Sequence, residues 1–169
     1  IRLDWEGVTG RLPEGIRVIF YPKDAQGRKI DTYLPAKGGE MKVPPGHYLA
    51  VIYNYDTEVV QVKGEDSYET IMACTGNCTG LGNSETENMV WGPDNFYVAT
   101  LDDVEIGKGE ELPTLEVKPK SVVTTYIFSI KTEGLKNVSS IIGSVSGMAE
   151  CYHLGKGAGL CRFAPIYCE

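Results

Sequence analysis

The sequence has no long hydrophobic run, few histidines and no excess of basic residues. None of its apolar stretches approaches the roughly 20 residues that a membrane-spanning helix needs. Only two histidines occur among 169 residues, so acid–base catalysis by histidine has little material. The 16 lysine and arginine residues are scattered and are outnumbered by 23 aspartate and glutamate residues. This balance argues against nucleic acid or an anionic membrane as a partner.

The composition is that of an ordinary globular chain. Hydrophobic residues make up 42% and charged residues 23%, so disorder is not expected. The length allows one domain with a full core or two small ones. Because the first residue is Ile1 rather than Met, we expect a processed or shortened form from which a targeting segment has been removed.

Period-two alternation dominates the chain, and extended helical periodicity is nearly absent. In GIRVIFYP, residues 15–22, the side chains of Ile16, Val18 and Phe20 share one face. The opposite face, which carries Arg17, Ile19 and Tyr21, is expected to be partly wet. Turn residues follow, and residues 28–34 are the expected hairpin partner.

The stretch VPPGHYLAVIYNYDTE, residues 43–58, combines a turn, an apolar strand and a polar end. Residues 48–55 are apolar on both faces, which predicts a central strand covered on both sides. The Pro-Pro-Gly turn is expected to pair this strand back along residues 41–43. The polar residues that end the strand are interpreted as a structural corner that bonds backbone groups: Asn54, Asp56 and Thr57.

The remaining elements are expected to be short. They are a strand at 59–62, a helical turn at 65–72, a long loop at 74–95, an extended piece at 96–101, an acidic loop at 102–111, and strands at 115–118 and 122–131. Many short strands between Gly/Pro turns predict an antiparallel sandwich. The Lys118-Pro119-Lys120 step is the predicted boundary between an N-terminal domain, 1–118, and an incomplete C-terminal β domain, 119–169.

The candidate metal ligands in this sequence are mainly cysteines. The chain contains Cys74, Cys78, Cys151, Cys161 and Cys168. A zinc site could use Cys74, Cys78, Cys151 and His153, because thiolate and imidazole suit a tetrahedral ion. A loop disulfide, free thiols, or pairing of Cys74 with a distant cysteine are the alternatives, and they are favoured because the usual ligand spacing is missing.

Other motifs are weak. GSVSG at 143–147 has valine where a nucleophile elbow needs serine, and GKGAG at 155–159 lacks dinucleotide-site spacing. Acidic groups at 65–66, 102–105 and 110–111 are interpreted as solvated charge rather than calcium ligands or glycosidase carboxylates. The aromatic residues that could be exposed for stacking on sugar rings are Trp91, Tyr97, Tyr53 and Tyr55. We predict no catalytic, cofactor-binding or metal-binding residue.

Several segments occur together in a characteristic order. They are Asp4-Trp5, GIRVIFYP at 15–22, PGHY at 45–48, YNYDTE at 53–58, Thr125-Tyr126, GLKNV at 134–138 and GSVSGM at 143–148. The set spans most of the chain and resembles a family of Bacteroidales surface lipoproteins related to the fimbrillins. The Cys161 to Cys168 end, CRFAPIYC, is not part of this resemblance.

The resemblance implies a pair of transthyretin-like, Greek-key β-sandwich domains, the second of which looks truncated because family members continue beyond the Ser-Gly-Met motif. It implies export, a lipid anchor on a cysteine upstream of Ile1, and a place on the outer-membrane surface. Related fimbrillins assemble when a strand of one subunit completes the sheet of another. The resemblance brings no catalytic residues and no cofactor.

The sequence is therefore compatible with three functions. The first is a non-enzymatic adhesin or accessory subunit of a fimbria-like assembly, whose partners are other fimbrial subunits bound through strand pairing. The second is a carbohydrate-binding module that uses Trp91 and loop tyrosines. The third is a metal-dependent hydrolase at the four candidate zinc ligands.

Overall fold

A computed structural model describes residues 1–24, 27–78, 89–109, 113–139, 141, 143–160 and 163–168. Its regular structure is almost entirely β. The strands are β1 (Arg2–Leu3), β2 (Gly15–Pro22), β3 (Ile30–Pro35), β4 (Gly46–Asn54), β5 (Val60–Lys63), β6 (Met72–Thr75), β7 (Tyr97–Ile106), β8 (Glu116–Val117), β9 (Lys120–Ser121), β10 (Gly143–Ala149), β11 (Cys151–His153), β12 (Ala158–Gly159) and β13 (Phe163–Cys168). One turn of 3-10 helix occurs at Leu135–Asn137. No helix in the described ranges is long and apolar enough to cross a bilayer.

Two larger sheets form the body of the protein. The first has five strands in the order β3-β2-β4-β7-β9, and the second has four in the order β12-β11-β6-β5. All neighbours within these two sheets are antiparallel. Two smaller pairs, β1 with β8 and β10 with β13, complete the described strands. The architecture is the all-β antiparallel sandwich that the sequence predicted.

The five-stranded sheet is covered on both faces. Ile16, Val18 and Phe20 face a core closed by the N-terminal residues and the β8 region. The opposite face, including Ile19 and Tyr21, faces a core shared with the four-stranded sheet. Each fully buried aliphatic or Phe side chain contributes about 1.5–3 kcal/mol. The expectation that this second face of β2 is partly wet is wrong for Ile19 and Tyr21, which the second sheet buries.

The β2–β3 hairpin and the central position of β4 are confirmed, but the predicted partner of β4 is wrong. β4 pairs with β2 on one side and β7 on the other, and residues 41–43 form no strand. Prolines 44 and 45 have no N–H to donate, so a tight ladder cannot continue across that turn. Met41 and Val43 instead pack against the first core.

The acidic segment after residue 101 is strand rather than loop in its first half. β7 continues to Ile106 through a bulge, and Glu105 lies opposite His47 of β4. An exposed edge accepts charged side chains, so acidic residues do not end the ladder there. Glu110 and Glu111, the third acidic group, lie outside the described residues. The helical turn expected at 65–72 is a series of turns that leads into β6.

The strand predicted at 122–131 is absent. Only β9, at Lys120–Ser121, pairs with the sheet, and residues 122–134 belong to no described strand. The alternating sequence has the side chains of a strand, but a strand also needs a neighbour that accepts its backbone hydrogen bonds. The Phe96 carbonyl accepts a hydrogen bond from the Val122 amide at 3.0 Å, but no described strand continues that pairing along residues 124–131.

A disulfide links the early and late parts of the chain. Cys151 of β11 lies opposite Cys74 of β6, and their sulfurs are bonded across 77 residues of sequence. Leu154, just after β11, is fully buried in the core between the two sheets. Strand β11 therefore adds to the second sheet although it follows residue 119. The division into 1–118 and 119–169 stays a prediction.

The disulfide is expected to stabilise the fold by restricting the unfolded chain. Replacing both cysteines, Cys74→Ser with Cys151→Ser, should lower the free energy of unfolding by about 2–4 kcal/mol. Urea unfolding monitored by tryptophan fluorescence measures the difference. Cys78→Ser is the control, since Cys78 is a free cysteine in the described part of the chain. Equal unfolding midpoints for the double variant and the unchanged protein would contradict the expectation.

Candidate functional site

The four candidate zinc ligands do not form a metal site. Cys74 and Cys151 are bonded to each other, so neither sulfur can act as a thiolate ligand. Both ring nitrogens of the buried His153 are also engaged, one with the Glu69 carbonyl at 2.7 Å and one with the Lys156 amide at 3.1 Å. Among the described residues no group of three His, Cys, Asp or Glu side chains could hold an ion. The zinc hypothesis is therefore wrong.

The aromatic residues considered for sugar stacking separate into two groups. Both Tyr53 and Tyr97 are buried: Tyr53 packs in the core between the sheets, and Tyr97 stands edge-on to Trp5 at 5.6 Å. The expectation that they are exposed is wrong. Trp91 is 38% exposed and stands edge-on to Tyr167 at 5.3 Å. Tyr55 is exposed and stands edge-on to Tyr33 at 5.1 Å.

The polar end of β4 forms the predicted corner. The buried Asn54 side chain accepts a hydrogen bond from the Tyr97 amide at 2.8 Å and donates to the Asn95 carbonyl at 3.1 Å. The Asp56 carboxylate accepts from the Glu14 amide at 2.9 Å, and the Thr57 hydroxyl donates to the Val60 carbonyl at 2.9 Å. These contacts pair backbone groups where the β4 ladder ends.

A second carboxylate at this corner, that of Asp94, was not predicted from the sequence. One oxygen of Asp94 accepts hydrogen bonds from three successive backbone amides, those of Glu58, Val59 and Val60, at 2.6–3.1 Å. The chain there resembles a nest of N–H groups around an anion. Asp94 lies in a loop in which nothing in the local pattern marks it. Only the approach of residues 36 positions apart reveals its role.

The most highly connected polar side chain is Arg17 on β2. Its guanidinium uses all five N–H donors: two on Asp31 at 2.8 and 2.9 Å, two on Glu65, and one on the Tyr53 hydroxyl at 3.0 Å. The ring of Tyr33 lies 5.3 Å from the guanidinium carbon. The cluster fastens the first sheet to the turn that joins β5 to β6.

The electrostatics of this cluster are those of a structural ion pair. The hydrogen bonds from Arg17 hold the pKa of Asp31 below its usual value, and the hydrogen bond to Asp31 raises the pKa of Arg17. Burial raises the pKa of the Tyr53 phenol. All these groups keep their ordinary charge at neutral pH, so the cluster offers neither a free base nor a nucleophile.

An apolar segment without cover lies beyond β9. Ile127 is 91% and Ile130 75% exposed, and the neighbouring Tyr126 and Phe128 are also exposed. No described strand pairs with this stretch. Val122 and Val123 still pack against the core between the sheets, and we call residues 124–131, which are all exposed, the exposed segment. Surface apolar residues are normally scattered, so four large ones within five positions are an unusual surface feature.

The outer edge of β7 is also open. β9 covers β7 only at Tyr97 and Val98, which leaves Ala99 to Ile106 without a neighbour on that side among the described strands. The bulge and the acidic side chains of Asp102, Asp103 and Glu105 discourage indiscriminate pairing along this edge. Together, the exposed segment and the β7 edge present unpaired backbone with apolar and acidic side chains.

Comparison with known proteins places the whole chain in one family. The family model described as "Domain of unknown function (DUF5119)" matches residues 1–169. A curated relative from Bacteroides ovatus, described as "Putative fimbrium anchoring subunit Fim4B", is 55% identical over 169 residues, which are 100% of this chain and 51% of the relative. The chain thus spans about half the length of that relative. The resemblance found in the sequence motifs is confirmed.

A solved structure agrees with the fold. The crystal structure described as "a putative adhesin from Bacteroides ovatus" superposes with a TM-score of 0.89 at 55% sequence identity. The match covers 98% of this chain and 58% of that chain. The sandwich described above is therefore shared with an experimentally determined relative, although only part of that relative is represented.

The Asp31 contribution should depend on pH. The pKa of Asp31 is lowered in the folded state, so its stabilisation is present above about pH 4, the range of an unfolded aspartate, and is lost as pH falls through the folded value. Asp31→Asn should lower the free energy of unfolding by about 1 kcal/mol at pH 7, because water still reaches and screens the pair. Urea unfolding from pH 7 to pH 2.5 should show this gap closing in acid.

Asp66→Asn is the matched control for this measurement. Asp66 also pairs with a cation, Lys29, but its side chain is fully exposed. The control should differ little from the unchanged protein at any pH. A gap for Asp31→Asn that stays constant down to pH 2.5 would show that the ion pair is not its cause.

The corner should matter for stability rather than for binding. Asn54→Ala leaves the buried Tyr97 amide without its acceptor and should lower the free energy of unfolding by about 1–3 kcal/mol. Asn137→Ala, in the exposed 3-10 turn, should change it little. Thermal and urea unfolding compare the two. Unchanged stability for Asn54→Ala would contradict the structural assignment of the corner.

Proposed function

Since the chain belongs to the DUF5119 family, we propose that it is part of a fimbria-associated surface protein that works through contacts and not through catalysis. The names of its relatives support this proposal: one is described as a fimbrium anchoring subunit and the other as an adhesin. Both relatives are longer than this chain. The partners of the whole protein are therefore part of the proposal.

The observation that carries the proposal is the exposed segment. Ile127 is 91% exposed in a stretch with strand-like alternation and no described partner. Covering four large apolar side chains would remove a substantial area from water, at about 25 cal/mol per Å². Its backbone N–H and C=O groups are equally available for a ladder. The segment can thus contribute a strand to a sheet that lacks one.

We propose that strand pairing with other fimbrial subunits is the chemistry of assembly. The exposed segment would offer apolar side chains on a free backbone, and the β7 edge would offer a strand with acidic side chains. Main-chain hydrogen bonds would supply affinity, and the side chains would supply specificity. The acidic edge favours a neighbouring strand that carries lysine or arginine.

The proposal includes the predicted domain division and the predicted location at the cell surface. Residues 119–169 would begin a second β domain in which β10 pairs with β13, and Ile166 of β13 also bridges Val90 of the first part. Export, a lipid anchor upstream of Ile1 and a place on the outer-membrane surface follow from the family resemblance. The alternative role of binding glycans through Trp91 and Tyr55 rests only on the partial exposure of these two rings.

The test of the assembly role uses the full-length protein that contains this chain, mixed with the other fimbrial subunits. Ile127→Lys with Ile130→Lys should abolish higher-order species that resist mild detergent, because charge cannot be buried in an apolar strand interface. Thr124→Lys with Thr125→Lys is the control, since it adds equal charge to exposed polar positions of the same segment. Native gels and size-exclusion chromatography measure assembly.

Two results would contradict the proposal. One is assembly of the isoleucine variant at the level of the control. The other is an isoleucine variant that loses assembly but also unfolds at a lower urea concentration than the control, which would mean that the segment packs within its own protein. Loss of assembly in the isoleucine variant alone is the expected outcome.

A further inference from the structure

A cleft opens at the end of the sandwich opposite the Asn54 corner. It lies between the end of β2 with the start of β3 on one side and the turn that precedes β4 on the other. Its volume is about 800 Å³, within the range of small-molecule sites. For comparison, an apolar cavity beside the Cys74–Cys151 disulfide has about 120 Å³. We call the larger opening the tip cleft.

The walls of the tip cleft are rigid and largely apolar. Pro22, Pro44 and Pro45 line it, together with the buried ring of Tyr48. The Tyr48 hydroxyl donates to the Pro44 carbonyl at 2.8 Å and fixes the turn against the strand. The Lys23 amide donates to the His47 carbonyl at 2.9 Å and ties the two sides together. The cleft is therefore preformed, which lowers the entropic cost of binding.

The polar groups of the tip cleft are mainly basic, in a chain whose net charge is −7. Arg28, Lys29 and His47 line it, and Asp24 is the one acidic residue among its described lining residues. Lys29 is held by the Glu65 carbonyl at 3.0 Å and by Asp66 at 3.3 Å. Arg28 differs from Arg2, Arg11 and Arg17 because no described carboxylate lies within salt-bridge distance of it. Its fork of donors is available to a ligand.

We propose that the tip cleft binds a carboxylated saccharide, with the sugar carboxylate on Arg28 and the ring against the proline and tyrosine walls. A guanidinium binds a carboxylate with two parallel hydrogen bonds, which supplies both strength and orientation. The flat apolar faces of three prolines suit the C–H face of a sugar ring. A saccharide combines the two features in one compact unit. The ligand gives the proposed surface protein a target other than its fimbrial partners.

This inference rests on the proposed surface role, but its test is independent of assembly. Isothermal titration measures binding of trigalacturonate, as a uronic acid source, and of sialyllactose, as a sialic acid source, to the full-length protein. Neutral lactose is the reference. At least one acidic saccharide should bind, lactose should not, and binding should weaken as salt is raised. Comparison of the two acidic saccharides identifies the source of the carboxylate.

Arg28→Gln should weaken binding of the acidic saccharide by about tenfold or more, because it removes a charge-assisted pair. Lys63→Gln is the matched control: it removes the same charge from an exposed position on β5 that does not line the cleft, and it should bind as the unchanged protein does. Circular dichroism verifies that both variants are folded. The fimbrial assembly of Arg28→Gln should be unchanged, which separates failure of this inference from failure of the proposed function.

Four outcomes would overturn the inference. Neither acidic saccharide binds; lactose binds as tightly as the acidic sugars; or Arg28→Gln binds as tightly as Lys63→Gln. Binding of a poly-glutamate peptide with equal affinity, and equal sensitivity to Arg28→Gln, would also overturn it, since the cleft would then select negative charge without selecting a sugar.

Discussion

The whole structure depends on two strands that must be hidden from water on both faces. β2 and β4 carry fully buried side chains on either side, among them Ile16 and Val18 toward one core and Ile19 and Val51 toward the other. One cover is the four-stranded sheet, and the other is made by the N-terminal residues with β8. Polar groups that enter this interior are fully paired: in the described part of the chain no buried side-chain nitrogen or oxygen lacks a hydrogen bond.

The two central strands could be predicted from the sequence because burial determines both their side-chain pattern and their place in the fold. Alternation in residues 15–22 and the two-sided apolar run at 48–55 specify burial, so β2 and β4 were predictable. Pairing was less so, since the partner of β4 depends on β7, some fifty residues later. The strand predicted at 122–131 is absent for a related reason. Alternating side chains indicate that a segment can form a strand, but no described strand pairs with this one.

Polar clusters were predictable only where they are local. Asn54 and Asp56 stand at the end of a run, and short polar side chains there bond nearby backbone. Arg17 gave no such signal, because its partners Asp31 and Glu65 lie 14 and 48 residues away. The same distance problem affected the cysteines. Zinc and disulfide hypotheses use the same residues, and only the opposition of β6 and β11 decides between them.

The Cys74–Cys151 bond also determines how the chain would carry a mechanical load. A pull applied before Cys74 and after Cys151 travels through the sulfur–sulfur bond and bypasses everything between them. The intervening loop, which includes the whole exposed segment and all of β7, would feel no tension while the bond lasts. Stretching could then separate only the strands outside this loop. The fully extended molecule would be shorter by the length of chain between Cys74 and Cys151.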